Sequence, residues 1–228
     1  MSNPNPTLRA ARRRMSSDQR HHEIVTVAAQ LFDESTFANT TMDDIAKRIG
    51  VAKPTLYHYF SSKEEILNAI HEEFIDVLIS HHSERDNAGL RPEQLLLEAM
   101  ADILELMQTH RGHVRVFFEH HRELAPEARS VMRSKRDDYE RVVENLIEEC
   151  IARGTFRPID PRLASLALFG MCNWAYQWYR SSGSIRPREI AYQFWNFLVF
   201  GLASDDLRAD AGLVQSAPPP SIVERPSS

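Results

Sequence analysis

Glycine is scarce, with 8 in 228 residues. No stretch alternates apolar and polar residues between hairpin turns, so the pattern favours helices throughout and leaves nothing to build a sheet. The two cysteines, Cys150 and Cys172, stand in apolar helical patterns without metal or redox spacing. A disulfide framework is thereby excluded, and buried thiols in a reducing compartment are expected. Long apolar runs are missing as well. The richest, Leu163 to Tyr179, is interrupted by Ser165, Asn173 and Gln177 and falls short of a membrane span. The N-terminal residues are polar and arginine-rich instead of carrying the apolar segment of a signal peptide, so a cytoplasmic location with no membrane partner is expected. A Gly-rich phosphate loop, a G-x-S-x-G elbow, an H-E-x-x-H motif and a supported Cys/His pair are all missing, and no enzyme and no cofactor are expected.

Charge is ordinary in total and uneven in place. The net charge of −5 and the 43% hydrophobic content describe a common globular chain. Residues 1–20, however, hold Arg9, Arg12, Arg13, Arg14 and Arg20 against the single acid Asp18. Such an arm suits nucleic acid, and taken alone it suits a solvated tail equally well.

The helical segments have readable starts. Ser17 or Asp18 can cap a first helix with Ile24, Ala28, Leu31 and Phe32 at helical spacing. Thr41, with Asp44 three residues on, starts a second that Gly50 ends, and Pro54 suits the first turn of a third. Ser62 and Glu65 open a fourth that reaches about His81, followed by a loop over 83–91. Further helices are expected near 92–108, 112–122, 127–153, 161–181 and 187–203, then a polar, proline-rich tail. The expected fold is all-α: an arm over 1–17, a three-helix unit over 18–65, a helical body over 66–203 and a tail over 204–228.

Helices two and three, joined at Gly50–Val51, have helix-turn-helix proportions. Leu56 and Phe60 lie on one side of helix three, facing Ile45 and Ile49, which leaves Lys53, Pro54, Thr55, Tyr57 and His58 on the other. Those side chains suit phosphates and base edges, although a plain helical corner with a polar surface has the same periodicity. The wording of the segment narrows the choice. TTMDDIAKRIGVAKPTLYHYFSSKEEIL, with A-x-x-L-F before it, resembles the signature of the tetracycline-repressor (TetR) family from Ile24 to about Ile70. The resemblance implies a cytoplasmic regulator, most simply a repressor, whose partner is a double-stranded DNA operator. It places Lys53, Thr55, Tyr57 and His58 at the major groove, Tyr59 at the backbone, and Thr41 and Lys63 at phosphates.

In the last two helices apolar residues occupy every face. One face can enter a core, while the other asks for a partner such as a second copy. The resemblance implies the same, a homodimer formed through those helices. Met107, Phe117, Phe118, Met171, Trp174 and Trp178, with the polar His121, Asn173 and Gln177, are candidate walls of a ligand pocket, although any one of them taken singly reads more simply as core. The family implies a small-molecule effector. THRGHVRVFFEHHRELA and NWAYQWYR resemble the branch that senses acyl- or sterol-derived coenzyme A thioesters, so the expected effector is amphipathic. Phe169 and Gln177 stand where sterol-sensing members carry basic residues. The histidines at 110, 113, 120 and 121 do not form a committed ligand set, and no metal site is expected.

Overall fold

Ser16 caps the first helix, one residue ahead of the expected cap. Its hydroxyl accepts the Gln19 N–H at 3.1 Å while the Gln19 side chain accepts the Ser16 N–H at 2.9 Å, a reciprocal capping box. The computed structural model describes residues 16–201; the expected N-terminal arm and C-terminal tail lie outside the described residues. Within them the chain is all-α, as expected: α1 (Ser17–Ser35), α2 (Met42–Ile49), α3 (Lys53–Tyr59), α4 (Lys63–Asn87), α5 (Pro92–Thr109), α6 (Arg111–Glu119), α7 (Pro126–Ala152), α8 (Pro161–Trp178) and α9 (Pro187–Phe200). No helix among the described residues is long and apolar enough to cross a membrane.

The chain divides into two compact units: the N-terminal part through Phe74 with Gly112–Ser130, and Ile75–Arg111 with the part from Val131 onward. These units follow packing and not chain order. Helix α6 joins the first although α5, before it, belongs to the second.

In the first unit Ile24, Val25, Ala28 and Phe32 of α1, Ile45 of α2, Leu56 of α3, and Ile66, Leu67 and Ile70 of α4 are all buried. Helix α6 lies so close to α1 that a Cβ on Gly112 would stand 2.9 Å from the carbonyl carbon and oxygen of Ala29. Only glycine permits that approach. Arg115 pairs with Asp33 at 2.7 Å beside it, and the Glu73 carboxylate lies 3.2 Å from His22 Nδ1 and 3.6 Å from His113 Nε2.

In the second unit α5 is buried nearly all round and packs chiefly on α9 and α8. One carboxylate goes in with it. Asp102 is 3% exposed and accepts both guanidinium nitrogens of Arg85, one at 2.8 Å, with His81 at 3.1 Å. Glu98 links Arg85 to Arg188 of α9. This network explains a departure from the expected helix four, which continues through 83–87 to Asn87. Residues that read as polar loop are held helical by tertiary partners. Both cysteines are free and buried, and burial pushes the Cys172 thiol up to about 12.

His71, 1% exposed on α4, donates its Nδ1–H to the Leu67 carbonyl at 2.9 Å. Burial lowers its pKa from 6.5 to about 4. Between those values the unfolded chain binds a proton that the folded chain refuses. Stability therefore falls as pH drops from about 7 towards 4, by roughly 3 kcal/mol from this residue. Urea titrations at pH about 7 and about 4.5 should show the wild type losing stability relative to His71→Leu. Equal losses would contradict the assignment.

Candidate nucleic-acid interface

The entry to α2 is built from two side chains. The Thr41 hydroxyl accepts the Asp44 N–H at 3.2 Å, and the Asp44 carboxylate accepts the Thr41 O–H at 2.6 Å and N–H at 3.0 Å. These hydrogen bonds, the hydroxyl's foremost, hold Asp44 below the usual carboxylate range. The helix stops at Gly50, whose φ of 77° is left-handed. Its N–H donates to the Ala46 carbonyl at 3.0 Å, and Val51 N–H reaches the same oxygen at 3.0 Å. A side chain here would be strained, so glycine sets the tight turn.

Helix α3 follows, with Pro54 in its first turn and Phe60 N–H closing on Leu56 at 3.0 Å. Leu56 is fully buried, and Phe60, 2% exposed, sets its ring 4.6 Å from that of His21. With that side committed, Lys53, Thr55, Tyr57 and His58 are exposed and Tyr59 is half-buried. The structure thus brings the four expected groove residues onto one outward surface. Lys53 Nζ meets Asp43 at 2.7 Å and lies 5.9 Å from the Tyr57 ring centre; its hydrogen bond to Asp43 raises the lysine pKa. The His58 and Tyr59 rings stand edge to face at 5.4 Å.

Lys63 has an internal duty that the sequence did not disclose. Its ammonium donates to the carbonyls of Phe37 at 2.9 Å and Thr40 at 3.2 Å and lies 4.4 Å from the Phe37 ring centre. Two of its three donors tie down the α1–α2 connection, which leaves one for a phosphate. Lys47, exposed in the last turn of α2, is a further cation beside this surface. Its neighbour Arg48 pairs with Glu34 at 2.9 Å.

The nine residues expected to line a pocket are divided between the units. Phe117 and Phe118 belong to the first, where their rings lie 5.2 Å apart and Phe117 is 4.4 Å from Phe74. His121 is exposed beyond α6 and its Nδ1 lies 3.2 Å from the Phe118 carbonyl. Met107 is buried in α5, while Met171 and Asn173 are half-buried on α8. Trp174 (64% exposed), Trp178 (45%) and Gln177 lie on the outside of the second unit. A cavity of about 320 Å³ within that unit, among α5, α7, α8, α9 and the 155–159 segment, is lined by none of the nine.

A tight glycine turn, a short anchored helix with an outward polar face and cations around it define a helix-turn-helix regulator that binds DNA. The family model for the DNA-binding part, "Bacterial regulatory proteins, tetR family", matches residues 24–70. The model "Tetracyclin repressor-like, C-terminal domain" matches 89–202. The chain belongs to the TetR family. Among similar proteins, the HTH-type transcriptional repressor KstR2 of Rhodococcus jostii (strain RHA1) is 29% identical over 187 residues, covering 81% of this chain and 92% of the relative. The TetR family regulator PfmR from Thermus thermophilus superposes with a TM-score of 0.74 at 29% identity, covering 79% of this chain and 99% of that one. AibR, crystallised with isovaleryl coenzyme A and operator DNA, gives a TM-score of 0.70 at 25% identity over 79% of this chain and 98% of its own.

The carbonyl ties of Lys63 are testable without DNA. Lys63→Met should lower the unfolding free energy by about 1–3 kcal/mol, since it removes charge-assisted bonds and strands two partly buried acceptors. Denaturant unfolding measures this, and an unchanged midpoint would contradict the internal duty.

Proposed function

We propose that the protein is a homodimeric repressor that reads a two-fold related operator with α3 and releases it when a small amphipathic molecule enters the body. The observation that carries this reading is the α3 surface: Thr55, Tyr57 and His58 point outward from a helix whose opposite side is fixed by the wholly buried Leu56. On this reading Thr55 and His58 meet base edges, Lys53 and Tyr57 flank them, and Thr41, Tyr59 and the remaining donor of Lys63 meet phosphates.

The second unit supports the dimer. Leu163, Leu166, Ala167, Gly170, Trp174, Gln177 and Trp178 recur at helical spacing along one exposed stripe of α8. Tyr192, Phe197, Val199 and Phe200 are exposed on α9, with Phe200 at 64%. A monomer seldom leaves such a surface to water. Gly170, with no atom within 4 Å of a notional Cβ, leaves a flat place where another helix can come close. A two-fold pair of α3 helices would match half-sites about one helical turn, roughly 34 Å, apart.

An acyl-coenzyme A thioester fits the effector role, and AibR, with its bound isovaleryl coenzyme A and operator, supports that class. Release can be no larger than the ligand's differential affinity for the DNA-competent and incompetent states.

Sedimentation and binding to a selected palindromic duplex test the reading together. The wild type should be a dimer at micromolar concentration, and Phe200→Glu should give a folded monomer with weakened binding. Thr55→Ala or His58→Ala should relax base preference at symmetric positions by about 1–3 kcal/mol. A monomeric wild type, or unchanged preference in both alanine variants, would sink the proposal.

A further inference from the structure

The cavity of the second unit has an unusual make-up. Its floor is apolar and buried: Leu96 of α5, Ile147 of α7 and Leu168 of α8 are each 3% exposed or less. Its wall carries the Phe156–Trp195 ring pair, with centres 6.2 Å apart. The segment that closes it is well fixed. Gly154, at φ 72°, turns the chain out of α7, and the N–H groups of Thr155 and Phe156 both donate to the Cys150 carbonyl, at 2.9 and 3.1 Å. Asp160 then caps α8 by accepting the N–H groups of Arg162 and Leu163.

Arg157, exposed on this fixed segment, is among the residues that line the cavity. Arg157 makes no ion pair with another described residue, and no carboxylate lines the space. A mainly apolar space with a cation at its exposed edge suits an apolar body with an anionic head. At about 30 Å³ for each water-sized group, 320 Å³ holds on the order of ten non-hydrogen atoms, the size of a medium-length acyl chain.

We infer that this cavity binds an acyl chain with an anionic head, and that Arg157 holds the head. Leu198 and Val199 line the cavity and are also 38% and 37% exposed on α9, so occupancy acts directly on the helix proposed for dimerisation. The location and head-group chemistry go beyond the effector reading. Only the consequence for DNA rests on it.

The test uses the full chain, intrinsic tryptophan emission (Trp195 lines the cavity) and two probes, octanoate and octanoyl-coenzyme A. Saturable binding of at least one is expected. It should weaken about tenfold or more in Arg157→Glu, through loss of a charge-assisted hydrogen bond, and vanish in Ala164→Phe, which fills the chamber. Circular dichroism establishes that both variants are folded. Saturation by octanoate assigns free acids, while saturation by the thioester alone assigns the coenzyme A form. The site is overturned if neither probe binds at millimolar concentration, or if binding is indifferent to both substitutions. It is overturned equally if no probe binds and Ala164→Phe abolishes the dimer, since a partner side chain then fills the space. A probe that binds as expected but leaves operator affinity unchanged supports the site and counts only against the effector reading. A probe that releases DNA with no dependence on Arg157 or Ala164 does the reverse.

Discussion

A helix of seven residues does not hold itself together in water, because the cost of its first turn is never recovered by propagation. Helix α3 is such a helix, and its existence depends on Leu56 being fully buried beside α2. Burying that one side chain contributes about 2–3 kcal/mol, and its direction settles every other direction on the helix. Thr55 and Tyr57 flank Leu56 in sequence and turn to either side, while His58 turns away. The left-handed Gly50 fixes the angle at which α3 leaves α2. Surface chemistry for DNA is in this sense a by-product of one buried leucine and one glycine.

Most of the cations around this surface already have partners. Lys53 has Asp43, Arg48 has Glu34, and Lys63 has two carbonyl oxygens. Their exchange costs differ. Exposed ion pairs contribute little and are screened by salt, so Lys53 and Arg48 can turn to phosphate cheaply. Lys63 is held by partly buried acceptors that would be left unpaired, so on the proposed reading only its remaining donor is offered to a phosphate. The same side chain ties α4 to the loop before α2.

Much of the architecture was legible because helix starts are local chemistry. Thr41 and Ser62 mark their helices in sequence as they do in the structure, and the helices expected from about 92, 127, 161 and 187 begin at prolines. The outward face of α3 was equally legible from Leu56 and Phe60. What escaped reading depends on residues far apart in the chain. The last turns of α4 are polar, and only Asp102 on α5 keeps Arg85 helical. The cavity joins Leu96 to Val199, a juxtaposition that periodicity does not encode. Trp174 and Trp178 read as pocket, core or interface without a means of separating them, since an apolar stripe states that it is to be buried and not by what.

The central claim is that two copies of the α3 surface read major grooves on one side of a two-fold site. Dimethyl sulfate interference on a selected operator tests it most directly, because methylation at guanine N7 blocks the major groove and at adenine N3 the minor. The account predicts two symmetric clusters of guanine interference, centred one helical turn of about 34 Å or a whole multiple apart. A single cluster, or interference confined to adenine N3, would contradict it.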